Sequence, residues 1–163
     1  MIRATINACA FATLLAHCAL AFAHHDTVQS IDYAAAKDTP YGRAFDPSKA
    51  SRTVEISMND AMRFVPSVVT VKRGESIRFV AKNEGQVMHE MVLGTRAELA
   101  EHAEHMKMHP DMEHHDANML HVAPGATGEL GWQFTHAGQF WFGCLVPGHF
   151  EAGMVGQVIV TAP

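Results

Sequence analysis

From residue 53 onward, short runs of β-branched and aromatic residues alternate with clusters of Gly, Pro, Asn, Asp and Ser. Runs of this length place side chains alternately on two faces and predict strands over 53–58, 67–72, 76–83 and 89–93, with Arg73-Gly74-Glu75 as a tight turn. The same texture resumes over 128–135, 138–143 and 155–161. Short strands with regular turns predict an all-β sandwich. Two stretches break the pattern. A polar insertion occupies about residues 95–123. It opens on Thr95-Arg96-Ala97-Glu98, a capping box in which Thr95 and Glu98 satisfy the first free amides of a helix. That helix is predicted to run to about His109, where Pro110 stops it. Residues 24–52 are mixed and polar, with turn signals at Thr39-Pro40-Tyr41-Gly42 and Asp46-Pro47-Ser48. They predict an N-terminal arm with little regular structure beyond a short helix around 31–36. No repeat or linker marks a second domain, so one domain is placed at 53–163.

The first 23 residues have a different pattern. Arg3 precedes an Ala/Leu/Phe-rich stretch that ends at Ala21-Phe22-Ala23, a small-x-small cleavage site. Asn7 and His17 interrupt the stretch, and it is short for a membrane span. A cleaved secretory signal over 1–23 is therefore predicted, with a soluble, monomeric product in the periplasm. Cys18 offers a lipid-anchored alternative, but His17 is a poor fit to the small residue such processing needs. Cleavage removes Cys9 and Cys18 and leaves Cys144 as the only thiol, so no internal disulfide can form. No twin-arginine pair is present, so the chain is predicted to cross unfolded and take up metal outside the cytoplasm.

Composition narrows the classes. With 163 residues, 48% hydrophobic and 18% charged, the chain can build a core. A net charge of -5 argues against nucleic acid as a partner, because phosphate binding needs a basic surface. Twelve histidines and ten methionines point instead to metal, if they are suitably placed.

One loop is so placed. Cys144-Leu145-Val146-Pro147-Gly148-His149-Phe150-Glu151-Ala152-Gly153-Met154 sets a thiolate, an imidazole and a thioether between two predicted strands. Thiolate and thioether are soft ligands, and imidazole suits copper in both oxidation states. A second histidine must come from elsewhere, and His89 at the head of a strand is the best candidate. Pro147 stiffens the loop, while Gly148 permits an unusual backbone angle before the ligand. Taken singly, a buried Cys, a surface His and a core Met would be the plainer reading of each residue. Zinc would more readily take several Cys or His ligands in a closed tetrahedron.

This loop, with Phe142-x-Cys144 ahead of it and Pro-Gly-His inside, resembles that of the cupredoxins azurin and rusticyanin. Four residues separate His149 from Met154, as in rusticyanin. The segment Asn83-Glu84-Gly85-Gln86-Val87-Met88-His89-Glu90 resembles the first-histidine strand of bacterial cupredoxins. The resemblance covers residues 53–163. It implies a Greek-key β-sandwich with one type 1 copper at one end, cycling between Cu(I) and Cu(II) on His89, Cys144, His149 and Met154. Glu90 departs from the Asn or Ser-like residue that azurin has after its first histidine. Trp132, Phe140, Trp141 and Phe142 read as core and dielectric wall. Val146, Pro147 and Phe150 read as an apolar rim around the exposed edge of His149, where the family exchanges electrons.

The insertion adds ligand types. It holds His102, His105, Met106, Met108, His109, Met112, His114, His115, Met119 and His121. On the predicted helix His102, His105, Met106 and His109 fall at i, i+3, i+4, i+7 and share one face. Mixed imidazole and thioether can hold copper in either state. The alternative is a solvated helix in which Ala97, Leu99, Ala103 and Met106 form a packing stripe. Cleavage after Ala23 would also expose His24-His25, whose first imidazole and terminal amine could chelate copper, or do nothing. With the type 1 loop, these features resemble the periplasmic CopI-like cupredoxins of bacterial copper tolerance. The expected function is copper binding, with or without oxidation, in periplasmic copper tolerance. The alternative is a soluble one-electron carrier between respiratory or oxidase partners. Multicopper enzymes need further copper clusters and domains that one cysteine does not provide, which leaves at most a weak cuprous oxidase activity.

Overall fold

The computed structural model describes residues 31–110, 112 and 115–163. Among these, the strands are β1 (Arg43–Ala44), β2 (Arg52–Asn59), β3 (Arg63–Val65), β4 (Val68–Lys72), β5 (Ser76–Asn83), β6 (His89–Gly94), β7 (Met119–Val122), β8 (Thr127–Gln133), β9 (Gly138–Gly143) and β10 (Val155–Thr161). The helix α1 (Arg96–Met108) lies between β6 and β7. The strands form two five-stranded sheets in the orders β1-β8-β5-β2-β3 and β4-β10-β9-β6-β7. β2 with β5 and β4 with β10 pair parallel, and the other neighbours pair antiparallel.

Period-2 patterning explains the sandwich. β2 buries Val54, Ile56 and Met58 between more exposed neighbours, and β4 buries Val69 and Val71. These side chains meet Phe79, Leu130, Trp132, Phe134, Phe142 and Val158 in one core between the sheets. Phe64 and Phe142 pack edge to face across it, with ring centroids 5.0 Å apart.

β6 is buried at every position, because both of its faces are covered. Met91 and Leu93 join the main core, while Val92 packs with Leu99, Ala103 and Met106 of α1, together with Met119 and Leu145. The helix thus roofs the outside of the second sheet. It starts as the sequence predicts: Glu98 N–H donates to Thr95 Oγ1 at 3.2 Å, and Thr95 N–H donates to Glu98 Oε2 at 2.9 Å. His109 caps its other end, immediately before Pro110.

Three strands add to the predicted set. β1 and β3 are two and three residues long, too short to show alternation. β7 lies inside the polar insertion, where its buried positions are Met119 and Val122. The arm is also more tied down than its sequence predicts. Beyond two 3-10 turns, β1 pairs with β8, Tyr41 stacks on Trp132 at 5.3 Å, and Trp132 Nε1–H donates to Tyr41 O at 3.0 Å. The chain upstream of residue 31, including the predicted signal, lies outside the described residues. Among the described residues, no helix is long and apolar enough to cross a membrane.

Candidate metal centre

Strand register brings the site together. β6 and β9 run antiparallel with Val92 opposite Gly143. His89 at the start of β6 and Cys144 just beyond β9 therefore fall at the same end of the sandwich. The loop from Cys144 to β10 closes on itself. Cys144 N–H donates to Met154 O at 3.1 Å, Met154 N–H to His149 O at 3.0 Å, and His149 N–H to Val146 O at 3.0 Å. Gly148 has φ +88°, the left-handed conformation that turns His149 inward and that a side chain would strain.

His149 Nδ1 lies 3.2 Å from Cys144 Sγ and 3.3 Å from His89 Nδ1, and His89 Nδ1 lies 3.9 Å from Cys144 Sγ. A triangle of sides 3.2, 3.3 and 3.9 Å has its centre about 2.0 Å from each corner, close to ordinary metal–nitrogen and metal–sulfur bond lengths. The donor set therefore fits a metal ion. Among the described residues, this is the one group of three or more His, Cys, Asp or Glu side chains whose ligand atoms converge in this way. Met154 is fully buried at the end of the same loop. Two imidazoles and a thiolate with a nearby thioether suit copper in both oxidation states.

Electrostatics favour a neutral site before metal enters. Burial pushes the Cys144 thiol up to about 12, and the Glu90 carboxylate adds to this, while the Glu90 and Val146 amides partly offset it. Glu90 N–H points at Cys144 Sγ from 3.3 Å, so a thiolate there has a donor waiting. Burial, followed by the neighbouring His89, moves His149 below its ordinary value. Glu90 thus serves the site through its backbone amide, while its carboxylate meets His121 Nδ1 at 3.2 Å.

Two further residues support the site. Asn83 is fully buried; its Nδ2 donates to Val87 O and Val122 O at 2.8 Å, and its Oδ1 accepts from Gly85 N–H at 2.9 Å. It holds the segment leading into His89 against the end of β7. Asp60, in the turn after β2, puts Oδ1 3.2 Å from His89 Nε2 and accepts from Gln86 N–H at 2.7 Å. The Gln86 amide is the main cause holding that carboxyl below the usual carboxylate range. The Asn83–Gly85 turn was visible as part of a motif, but nothing near Asp60 in sequence marks it.

The insertion divides. Met106 is 5% exposed and Met119 8%, both in the apolar cluster beneath α1. The Leu99-Ala103-Met106 packing stripe is therefore present, with Met106 packed into the apolar cluster. His102 is half-buried, whereas His105 and His109 are exposed with ring centroids 4.7 Å apart. Met108 and Met112 are exposed. His115 and His121 pack edge to face at 5.2 Å. His24, His25 and His114 lie outside the described residues. Of the aromatic residues, Trp132, Phe140 and Phe142 are core, and Trp141 packs partly buried against the helix cluster.

Known proteins share this architecture. Residues 50–161 match the family described as copper binding proteins, plastocyanin/azurin family. The chain is 54% identical over 151 residues to the copper-resistant cuproprotein CopI of Rubrivivax gelatinosus, covering 91% of this chain and 92% of that protein. It is 37% identical over 149 residues to the copper-resistant cuproprotein CopI of Pseudomonas aeruginosa, covering 74% and 82%. Auracyanin B superposes with a TM-score of 0.62 at 21% identity, over 77% of this chain and 99% of that one, which shows a common fold. By its matched sequence and its fold, this chain belongs to the plastocyanin/azurin family of copper-binding proteins.

Proposed function

We propose that the chain is an exported copper protein serving copper tolerance in the periplasm, and that His89, Cys144, His149 and Met154 hold one type 1 copper. The observation that carries the ligand assignment is the convergence of His89, Cys144 and His149 at copper-bonding separations. Copper so bound passes one electron by moving between Cu(I) and Cu(II). The protein supplies a closed loop that fixes the donors, an amide aimed at the sulfur, and a nearly dry surround in which His149 alone is partly open. Tolerance is favoured over electron carriage by the exposed His105, Met108, His109 and Met112, which a carrier does not require. The CopI relatives, named as copper-resistant, point the same way.

The carrier reading has one observation in its favour. Val87 and Met88, just ahead of His89, are 42% and 44% exposed and offer an apolar contact to a redox partner.

Copper titration of the mature protein, followed by visible absorption and metal content, tests both. An intense thiolate-to-copper band that saturates near one equivalent and disappears in Cys144→Ser supports the centre. Further copper binding without added band, lost when His105, His109, Met108 and Met112 are replaced, supports copper handling. If those replacements leave the copper tolerance of cells unchanged but slow electron transfer to a partner, tolerance is the wrong function.

A further inference from the structure

Asp60 is built into the centre from a distance in sequence. Its Oδ1 lies 3.2 Å from His89 Nε2, and its Oδ2 accepts from Gln86 N–H at 2.7 Å. Gln86 belongs to the short segment that enters His89, so one carboxylate grips the ring and the backbone that carries the ring. Gly85 makes room for it: a Cβ there would stand 1.9 Å from Asp60 Oδ1. A side chain larger than hydrogen at residue 85 would push the carboxylate off the histidine.

The ring's geometry gives this contact a consequence. His89 Nδ1 faces Cys144 Sγ and His149 Nδ1. A neutral imidazole has one protonated nitrogen, so a ring that offers Nδ1 to a metal carries its proton on Nε2. The carboxylate is the acceptor for that proton. A neutral acceptor would hold the ring at the same angle, but an anion also raises the basicity of the imidazole.

We infer that Asp60 is a positioning residue of the copper centre, acting through His89: its carboxylate fixes the Nε2–H tautomer and makes Nδ1 a stronger donor, favouring Cu(II) over Cu(I). This rests on His89 being a copper ligand, as proposed above. Asp60 is 39% exposed, whereas His89 is fully buried. Water therefore screens part of the charge, and the effect is a modest bias on the couple rather than a condition for binding.

The test uses the full mature protein loaded with copper. Asp60→Asn keeps an oxygen acceptor of similar size and removes the charge. It should raise the reduction potential through roughly a tenfold change in the ratio of Cu(II) to Cu(I) affinity, about 59 mV for a one-electron couple. In the unsubstituted Cu(I) protein, nitrogen-resolved NMR should find the His89 proton on Nε2, exchanging slowly with water. Asp60→Ala should speed that exchange while the thiolate-to-copper band persists. An unchanged potential in Asp60→Asn overturns the inference. So does a proton on Nδ1 or rapid Nε2–H exchange in the unsubstituted protein, a reading that needs no variant to fold. Absence of the thiolate-to-copper band in the unsubstituted protein would instead remove the ligand assignment beneath it.

Discussion

Raising the pH of the metal-free protein should leave Cys144 protonated long after an ordinary thiol has ionised. The side chain is fully buried, and burial moves its pKa from 9.0 to about 12. Three units correspond to about 4 kcal/mol of preference for the neutral thiol. At pH 10 a thiol at the ordinary value would be about nine-tenths ionised, and one at about 12 only about one-hundredth. The direction of the stability effect follows from proton counts. Between pH 9 and 12 the folded chain keeps a proton that the unfolded chain has lost, so stability falls as pH rises through that window, by at most about 1.4 kcal/mol per unit, and is complete below it. In the proposed centre, copper must displace this proton. At pH 10 binding should therefore release close to one proton per ion through the thiol, against about a tenth from an ordinary thiol. Ultraviolet thiolate absorbance across a pH titration is the assay, with Cys144→Ser subtracting the tyrosines. A thiolate signal already half-developed near pH 9 would refute the reasoning and mean that the Glu90 and Val146 amides outweigh burial.

Four further outcomes are expected. Asn83→Ala removes three hydrogen bonds, two of them buried, and should cost about 2–4 kcal/mol in chemical denaturation; it should also broaden the copper site's spectrum by loosening the approach to His89. Leu99→Ala should cost about 2–5 kcal/mol by opening the cluster under α1. Lys107→Ala, which breaks exposed pairs with Glu104 and Glu151, should change stability by less than about 1 kcal/mol, and the contrast is readable in thermal melts. In the metal-free protein His149 should titrate below its ordinary value of 6.5, as measured by NMR. Burial disfavours its charged form, so that part of the stability is complete above pH 6.5 and lost as pH falls below it.

The regular strands other than β6 were legible because each presents one face to the core. Ser76–Asn83, Gly138–Gly143 and Val155–Thr161 begin and end at the residues that the sequence pattern predicts. The helix was legible from its capping box. β1 and β3 were not, since two or three residues show no period, and the strand that β1 pairs with lies far away in sequence. β7 was hidden because its neighbours in sequence are polar, and only its register with β6 gives it a sheet. In the site, Cys144, His149 and Met154 share a loop whose spacing is itself a signal, and His89 heads a recognisable strand. Asp60 carries no such mark. Its role depends on the β2–β3 turn folding over residues 85–87, a tertiary contact that no local pattern encodes. Met106 shows the reverse: the right spacing for a ligand face was also the right spacing for packing, and Met106 is buried in the cluster under α1.

In the proposed copper centre, the exposures of the four donors would impose an order on metal loading. Cys144, His89 and Met154 are fully enclosed, and only His149 reaches the surface, at the turn made by Gly148. An arriving ion must meet that imidazole first and pass inward beside it. A departing ion must leave by the same door, and a chelator in solution can seize it only there. With copper held as proposed, uptake and loss would be governed by a single ring on the nine-residue span between Cys144 and Met154, so slow exchange would need no exceptional equilibrium affinity.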